Sequence, residues 1–352
     1  YDAFAPNASG GERAIAISLT DQATGIVAAR LRELRLFAKE SGDLTLWGHE
    51  FAEELSNKGQ TKGTVDGPET LNGYKDHGFG FSLGLDGGSP EGGWYGGAFT
   101  FYTGDVQEGG DRVSRLNSLW YMLTGYSEWR GRGLFFESQV NVGYASFKGK
   151  RFLTLDIPGT PATATTAAIP SSTFTREADS NRPGIVGSLG ATAGALLNYG
   201  STKVIPQISL DGMTFREEGY TEANGGQGFN LKVNPYYANS LRIFVGSEFR
   251  EDLNLGDFLL QPSARVGYRF DFLNDPVKLH AAFADVDPKT LGNQAGNPFV
   301  VTGPDPGQGN IVLGGALNAT TDNWTFGLNY DFVRGSNNAT QQIGTISLLG
   351  RI

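Results

Sequence analysis

The chain of 352 residues contains no cysteine, only two methionines and only three histidines. Without cysteine there are no disulfides, no thiolate nucleophiles and no zinc–thiolate sites. A chain that crosses an oxidising periplasm also gains from carrying no stray thiols. His49, His77 and His280 lack metal-ligand spacing to one another, so neither a metal nor any other cofactor is expected. Long apolar runs are missing too. No stretch approaches the ~20 apolar residues of a spanning helix, and the mean hydropathy is −0.26. Any membrane crossing must therefore be made by a closed sheet. Positive charge is in deficit, with a net charge of −9, which argues against a nucleic-acid partner. Glycines are spread along alternating segments rather than set between a strand and a helix, so no phosphate-cradling loop stands out. The opening Tyr1-Asp2-Ala3-Phe4-Ala5-Pro6 has neither the basic start nor the apolar core of a signal peptide, and there is no initiator Met. The expectation is a mature or truncated C-terminal piece of a longer precursor.

What is abundant is glycine, at 51 residues, with 23 Phe and 13 Tyr. Glycine and aromatics at short intervals suit strands that curve and meet lipid headgroups. Residues 1–12 read as a linker, and Arg13 to Leu19 as a short strand or extended stalk. A helix signal follows, capped by Thr20 or Asp21 and carried through Phe37. Its apolar residues Ile26, Val27, Leu31, Leu34 and Leu36 make no single stripe, and Arg30, Arg32 and Arg35 project on several sides. Such a helix suits a hydrated, charged surrounding better than a dry core. Gly42 and Asp43 break it.

From residue 44 the period changes to two. Leu134, Phe136, Val140, Val142 and Tyr144 share one face, with Glu137, Gln139 and Asn141 on the other. Leu260, Pro262, Ala264, Val266, Tyr268 and Phe270 oppose Gln261, Ser263, Arg265 and Arg269. Leu241, Ile243, Val245 and Phe249 oppose Arg242, Glu248 and Arg250; Trp324 to Phe332 sets Thr325, Asn329 and Asp331 against five apolar residues. The last segment runs to the chain end, with Ile346, Leu348 and Ile352 on one face and Thr345, Ser347 and Arg351 on the other. The spacing predicts twelve strands, at about 44–57, 76–87, 92–105, 115–130, 133–147, 182–199, 203–220, 240–252, 256–272, 308–319, 322–334 and 339–352. Connections after odd-numbered strands are mostly long and those after even-numbered ones tight, the asymmetry of an outer-membrane barrel whose short turns face the periplasm. A water-soluble sandwich also alternates, but its strands average about five or six residues and its polar face carries many charges. Here strands exceed ten residues and one face is almost uncharged.

The sequence at this point resembles the C-terminal translocator of a classical monomeric autotransporter. The carriers are Leu46-Trp47-Gly48-His49-Glu50-Phe51 after a helix, Gly78-Phe79-Gly80-Phe81-Ser82-Leu83-Gly84-Leu85-Asp86, and Leu119-Trp120-Tyr121-Met122-Leu123-Thr124-Gly125-Tyr126 followed by Gly133-Leu134-Phe135-Phe136. The most specific is Ile205-Pro206-Gln207-Ile208-Ser209-Leu210 with Tyr220-Thr221-Glu222, followed by Leu241-Arg242-Ile243-Phe244-Val245-Gly246. Ile352 departs from the terminal aromatic that is commoner there, and the helix region lacks the Asn-Asn pair of the self-cleaving subgroup. Asn337-Asn338 instead sits in an expected external turn. The resemblance implies an all-β membrane protein: a 12-stranded antiparallel transmembrane barrel with an N-terminal α-helix inside the pore. It implies 1–19 as passenger remnant or linker, 20–40 as pore helix and 44–352 as barrel. It further implies delivery of an N-terminal passenger to the surface of a Gram-negative cell by type V secretion. Implied partners are that passenger, the barrel-assembly machinery, periplasmic chaperones and outer-membrane lipid or lipopolysaccharide, around a monomer.

Against that frame the candidate residues fall into groups. Arg30, Arg32, Glu33 and Arg35 belong to the pore helix, the arginines facing inward carboxylates such as Glu137, Glu248 and Asp331. Glu137, Gln139, Asn141, Arg242, Glu248, Arg265, Arg269, Asn329 and Asp331 line the lumen. Trp94, Tyr95, Tyr121, Trp129, Tyr268, Trp324 and Tyr330 are candidates for the aromatic girdles. Ile346, Leu348 and Ile352 form the C-terminal assembly signal. Two other readings compete. One is a diffusion porin whose loop 273–307 folds inward. The other is an outer-membrane hydrolase using His49 or His77 with a serine.

Overall fold

The computed structural model describes residues 11–37, 44–64, 67–71, 73–89, 92–108, 114–159, 170–226, 228–256, 258–284, 298–321 and 324–350. They form one helix, α1 (Gly11–Phe37), and twelve barrel strands. In chain order these are β1 (Thr45–Asn57), β2 (Tyr74–Ser89), β3 (Gly93–Glu108), β4 (Arg115–Gly131), β5 (Leu134–Ile157) and β6 (Ser172–Ala195). The second half comprises β7 (Thr202–Glu217), β8 (Tyr236–Glu251), β9 (Leu259–Asp271), β10 (Gly309–Thr320), β11 (Trp324–Gly335) and β12 (Ala339–Gly350). Each strand pairs antiparallel with its sequence neighbours, and β1 pairs with β12 from Leu46↔Gly350 to Asn57↔Ala339. That last pairing closes the sheet and leaves no barrel edge.

Period two decides which face meets what. On β11, Trp324, Phe326, Leu328 and Tyr330 are each at least 50% exposed, while Thr325 between them is 3% exposed. The same inversion recurs around the barrel, with large apolar side chains outside and polar ones inside. An apolar belt of that extent has no place in water; it is the lipid-facing band of a membrane barrel.

Turn chemistry matches the sidedness. β4 and β5 are joined by two residues, Arg132 and Gly133, with φ of 53° and 80°. Two left-handed residues in succession make the I′ turn that suits the twist of a hairpin. At the opposite end β5 and β6 run for 24 residues each. A spanning strand needs only about 9–11, so much of this hairpin stands above the belt. Beside it lies a small antiparallel sheet of Tyr220–Thr221, Leu231–Val233, Lys278–Phe283 and Phe299–Thr302. Its Tyr220, Leu231, Val233 and Ala281 are buried together, and the Arg151 guanidinium donates two hydrogen bonds to Glu222, at 2.8 and 2.6 Å.

Two sequence expectations are revised here. The helix begins at Gly11, not near Thr20. Thr20 does not cap: its hydroxyl donates to the Ala16 carbonyl at 2.7 Å, and Thr24 repeats this onto Thr20. Such back-bonding lets hydroxyl residues sit inside a helix, so the segment expected to be a stalk is its first two turns. The expected fifth and sixth strands end near the lipid belt, at 147 and 182, whereas β5 and β6 extend to Ile157 and back to Ser172. Beyond the belt neither face needs to be apolar, and the alternation that revealed the strands fades.

Candidate functional site: a helix inside the barrel

At ~1.5 Å per residue, α1 is long enough to thread the barrel. It is enclosed on all sides. Ile15, Leu19, Ala23, Ile26, Val27, Leu31 and Leu34 are buried, and so are Glu12, Arg13, Ser18, Gln22 and Arg30. The polar residues are tied to the wall at successive levels. Near the mouth that carries the long β5–β6 hairpin Arg182 lies 2.8 Å from Glu12 and 3.6 Å from Glu217. Arg13 donates to the carbonyls of Asn239 and Leu273, each at 3.1 Å. Lower down, the Ser18 hydroxyl donates to Glu53, and Gln341 donates to Ser18 at 2.6 Å. Asp21 accepts from Arg242 and Arg269 together. Towards the end of the barrel with the tight hairpins Arg30 donates to both Asp86 oxygens, at 2.6 and 2.8 Å, and Arg32 donates to Glu248.

The lumen has two unlike halves. One, mostly on β1–β7, is aromatic: Trp47, Phe51, Tyr102, Trp120, Tyr126, Phe147 and Phe215 are buried in one cluster with the apolar residues of α1. Trp120 and Phe147 meet edge to face with centroids 5.4 Å apart, a favoured arrangement of ring quadrupoles. A Cβ on Gly84, opposite Trp47, would lie 2.2 Å from the indole, so only glycine lets that ring lie flat on the wall. The other half is charged. Asp21, Gly25, Ala28 and Arg32, one stripe of α1, face a cavity of about 160 Å³ walled by Glu137, Asp211, Glu248, Arg250, Arg265, Arg269 and Asp331. At ~30 Å³ per water, that space has room for several waters. The helix thus leans on the aromatic wall and leaves an open seam on its charged side.

The residues singled out from sequence are distributed as follows. Glu137, Arg265, Arg269, Asn329, Asp331 and Glu248 line the cavity, and Arg242 reaches α1 through Asp21. Gln139 lines a smaller gap beside Thr24, Val27 and Leu31. Asn141 is 1% exposed, accepts from Thr124 at 2.6 Å and donates to Ser188 at 2.8 Å within the wall. Of the three carboxylates expected to meet the helix arginines, Glu248 binds Arg32, whereas Asp331 pairs with Arg265 on the wall. The partner of Arg30 is Asp86, which sequence reasoning missed. The side chains of Glu33 and Arg35 lie outside the described residues, as does Ile352. Ile346 and Leu348 face outward, 62% and 45% exposed.

Among the girdle candidates Tyr95, Tyr121, Trp129, Tyr268, Trp324 and Tyr330 are exposed on the outer face. Trp94 is not: it is 4% exposed and belongs to the lumen cluster. Neighbours on a strand point to opposite faces, so Trp94 and Tyr95 are not girdle residues together. The histidines separate for the same reason. His49 is buried inside against Trp47, with ring centroids 5.2 Å apart. His77 is exposed on the outer face of β2, its Nδ1 3.9 Å from Glu54. The described part of the loop 273–307 pairs into the small sheet beside the β5–β6 hairpin.

At the rim, above the belt, burial pushes the Glu217 carboxyl up to about 8, against the pull of the Arg182 guanidinium and helped by the nearby Glu12. Burial likewise raises the Tyr220 phenol. The rim end of the helix is therefore held by one guanidinium shared between two carboxyls.

The family described as autotransporter beta-domain matches residues 58–331. No curated protein sequence matches the chain. Among solved structures, the translocator domain of the autotransporter NalP from Neisseria meningitidis is similar at TM-score 0.58 and 12% identity, over 95% of this chain and 98% of that one. The transport unit of AIDA-I from Escherichia coli is similar at TM-score 0.55 and 12% identity, over 93% and 98%. The β domain of the Bordetella autotransporter BrkA is similar at TM-score 0.52 and 16% identity, over 88% and 99%. At these identities the structural likenesses speak to fold.

Proposed function

We infer the task of the helix from one premise: the chain belongs to the autotransporter β-domain family. It is a translocator of type V secretion, and membership implies a Gram-negative outer membrane. Family and fold mark a translocator barrel and not an enzyme domain.

The finer reading concerns what α1 joins and blocks. The barrel delivers a passenger joined ahead of α1 to the cell surface and anchors it there. The helix is the last stretch of that polypeptide, retained in the pore and closing it to solutes. The carrying observation is the set of contacts along α1, from Glu12 with Arg182 at the mouth to Arg32 with Glu248 near the periplasmic end. A helix parked loosely in a channel would not need buried partners at every level. Periplasmic chaperones and the barrel-assembly machinery serve its biogenesis, outer-membrane lipid surrounds it, and the barrel works as a monomer. The porin and hydrolase readings lack an equivalent observation: the lumen is occupied, and His49 and His77 stand on opposite faces of the wall.

The test fuses a compact epitope-tagged domain before residue 1 and asks whether protease added to intact cells removes it. Surface exposure is expected for the full chain. An epitope that stays protected while the barrel itself is inserted would overturn the reading.

A further inference from the structure

The lipid-facing surface of β3 and β4 carries a hollow. Gly97 and Gly125 stand opposite each other in register, and both belong to the outward-facing set of their strands. A Cβ on Gly97 would meet nothing nearer than the Thr124 carbonyl at 3.6 Å, and one on Gly125 nothing nearer than Val140 Cγ1 at 3.5 Å. Neither position has a left-handed φ. The barrel therefore does not need glycine at either place for its own packing.

The surroundings of this floor are built from large apolar side chains. Leu83, Phe99, Leu123 and Val142 form the next registered row on the extracellular side, and Leu85 and Val140 flank the two glycines. The hollow they border is open to the lipid side, measures about 620 Å³ and is lined almost wholly by carbon. Its other border is chemically different. Tyr95, Ser127 and Ser138 make the next row towards the periplasm, with the two serine hydroxyls 2.9 Å apart. Trp129 follows on the same face, 58% exposed, and Arg132 sits at the hairpin tip just beyond. An apolar hollow bordered by hydroxyls, an indole and then a cation matches one amphiphile: an acyl chain, its ester and its phosphate, in that order.

We propose that this hollow binds one phospholipid of the periplasmic leaflet, an acyl chain seated over Gly97 and Gly125 and its ester region against Tyr95, Ser127 and Ser138. The inference rests on the membrane placement of the barrel but not on secretion. Lipid tails are as apolar as leucine, so general burial gives such a chain no advantage over its neighbours in the bilayer. Its advantage is close contact on several sides at once, the many small dispersion gains that a flat wall does not offer.

The experiment is native mass spectrometry of the full chain, extracted from bilayers of phosphatidylethanolamine and phosphatidylglycerol, with retained phospholipid counted as detergent exchange proceeds. The wild type is expected to keep one phospholipid after the rest have left. Gly97→Leu with Gly125→Leu fills the hollow, and occupancy is expected to fall about tenfold or more, the ratio given by ~1.4 kcal/mol. Gly315→Leu on β10 adds bulk on the outer face away from the hollow and is expected to change nothing. A urea wash and heat-dependent gel mobility show separately that each variant is inserted and folded, so failure of the membrane reading is distinguishable. Equal retention by the wild type and the filled variant would overturn the proposal. A wild-type dimer that the filled variant splits, without loss of lipid, would also overturn it, because a second copy would then be the occupant.

Discussion

Removing Arg30 is the sharpest way to ask what holds the helix. Its guanidinium is 1% exposed and its partner Asp86 is fully buried. Asp86 also accepts from the Tyr126 hydroxyl at 3.0 Å, and Trp47 donates to that hydroxyl at 2.9 Å. Arg30→Ala leaves Asp86 buried beneath α1 without its cation, and breaking a buried pair from one side costs about 3–5 kcal/mol. The cost falls on the docked state alone, since with α1 withdrawn Asp86 faces an open, wet lumen. At about 1.4 kcal/mol per factor of ten, the undocked fraction rises by between two and nearly four orders of magnitude. The chain has no cysteine, so Ala23→Cys, at a site 2% exposed on the aromatic side of α1, reports undocking through its rate of modification by a soluble maleimide. The rate is expected to rise by that factor in Arg30→Ala. It is expected to return most of the way in Arg30→Met with Asp86→Leu, where both charges are gone. A rate within about twofold of the parent, the scatter of unrelated substitutions, would refute the reasoning.

Three further outcomes follow from the wall and the rim. Leu328→Arg places a guanidinium on the lipid face and is expected to destabilise the barrel by about 2–4 kcal/mol near the midplane, whereas Asn117→Arg at the extracellular end of β4 is expected to be nearly silent; urea unfolding in vesicles measures both. Trp120→Ala removes a ring 2% exposed and is expected to cost about 3–5 kcal/mol, read in the same titration. Glu217 has a folded-state pKa raised by burial to about 8, so the unfolded chain releases its proton first. The wild type therefore loses stability as pH rises from its ordinary carboxylate range to about 8, and Glu217→Gln is expected to flatten that slope.

How much of this was legible in the chain depended on which solvent each side chain meets. Strands were readable where lipid stood on one face and water or α1 on the other, as in Trp324–Gly335, because alternation is then strict. The β5–β6 hairpin above the belt was not, since Lys148 and Lys150 outside and Arg151 inside carry no apolar–polar contrast. The charged half of the lumen was readable for the same reason as the strands. The aromatic half was hidden: Trp120 faces in and Tyr121 faces out, so adjacent aromatics erase the alternation that would assign them. Asp86 as the partner of Arg30 has no local signal, because 56 residues separate them. A signal did exist for Trp94, whose neighbour Tyr95 had already claimed the outer face.

Whether α1 occupies and closes the pore of an outer-membrane translocator is read by single-channel conductance in planar bilayers. The full chain is to be compared with one lacking residues 1–40. A nearly silent full chain and large, stable conductance from the deletion are expected. Equal, large conductance from both would put the helix outside the conducting path.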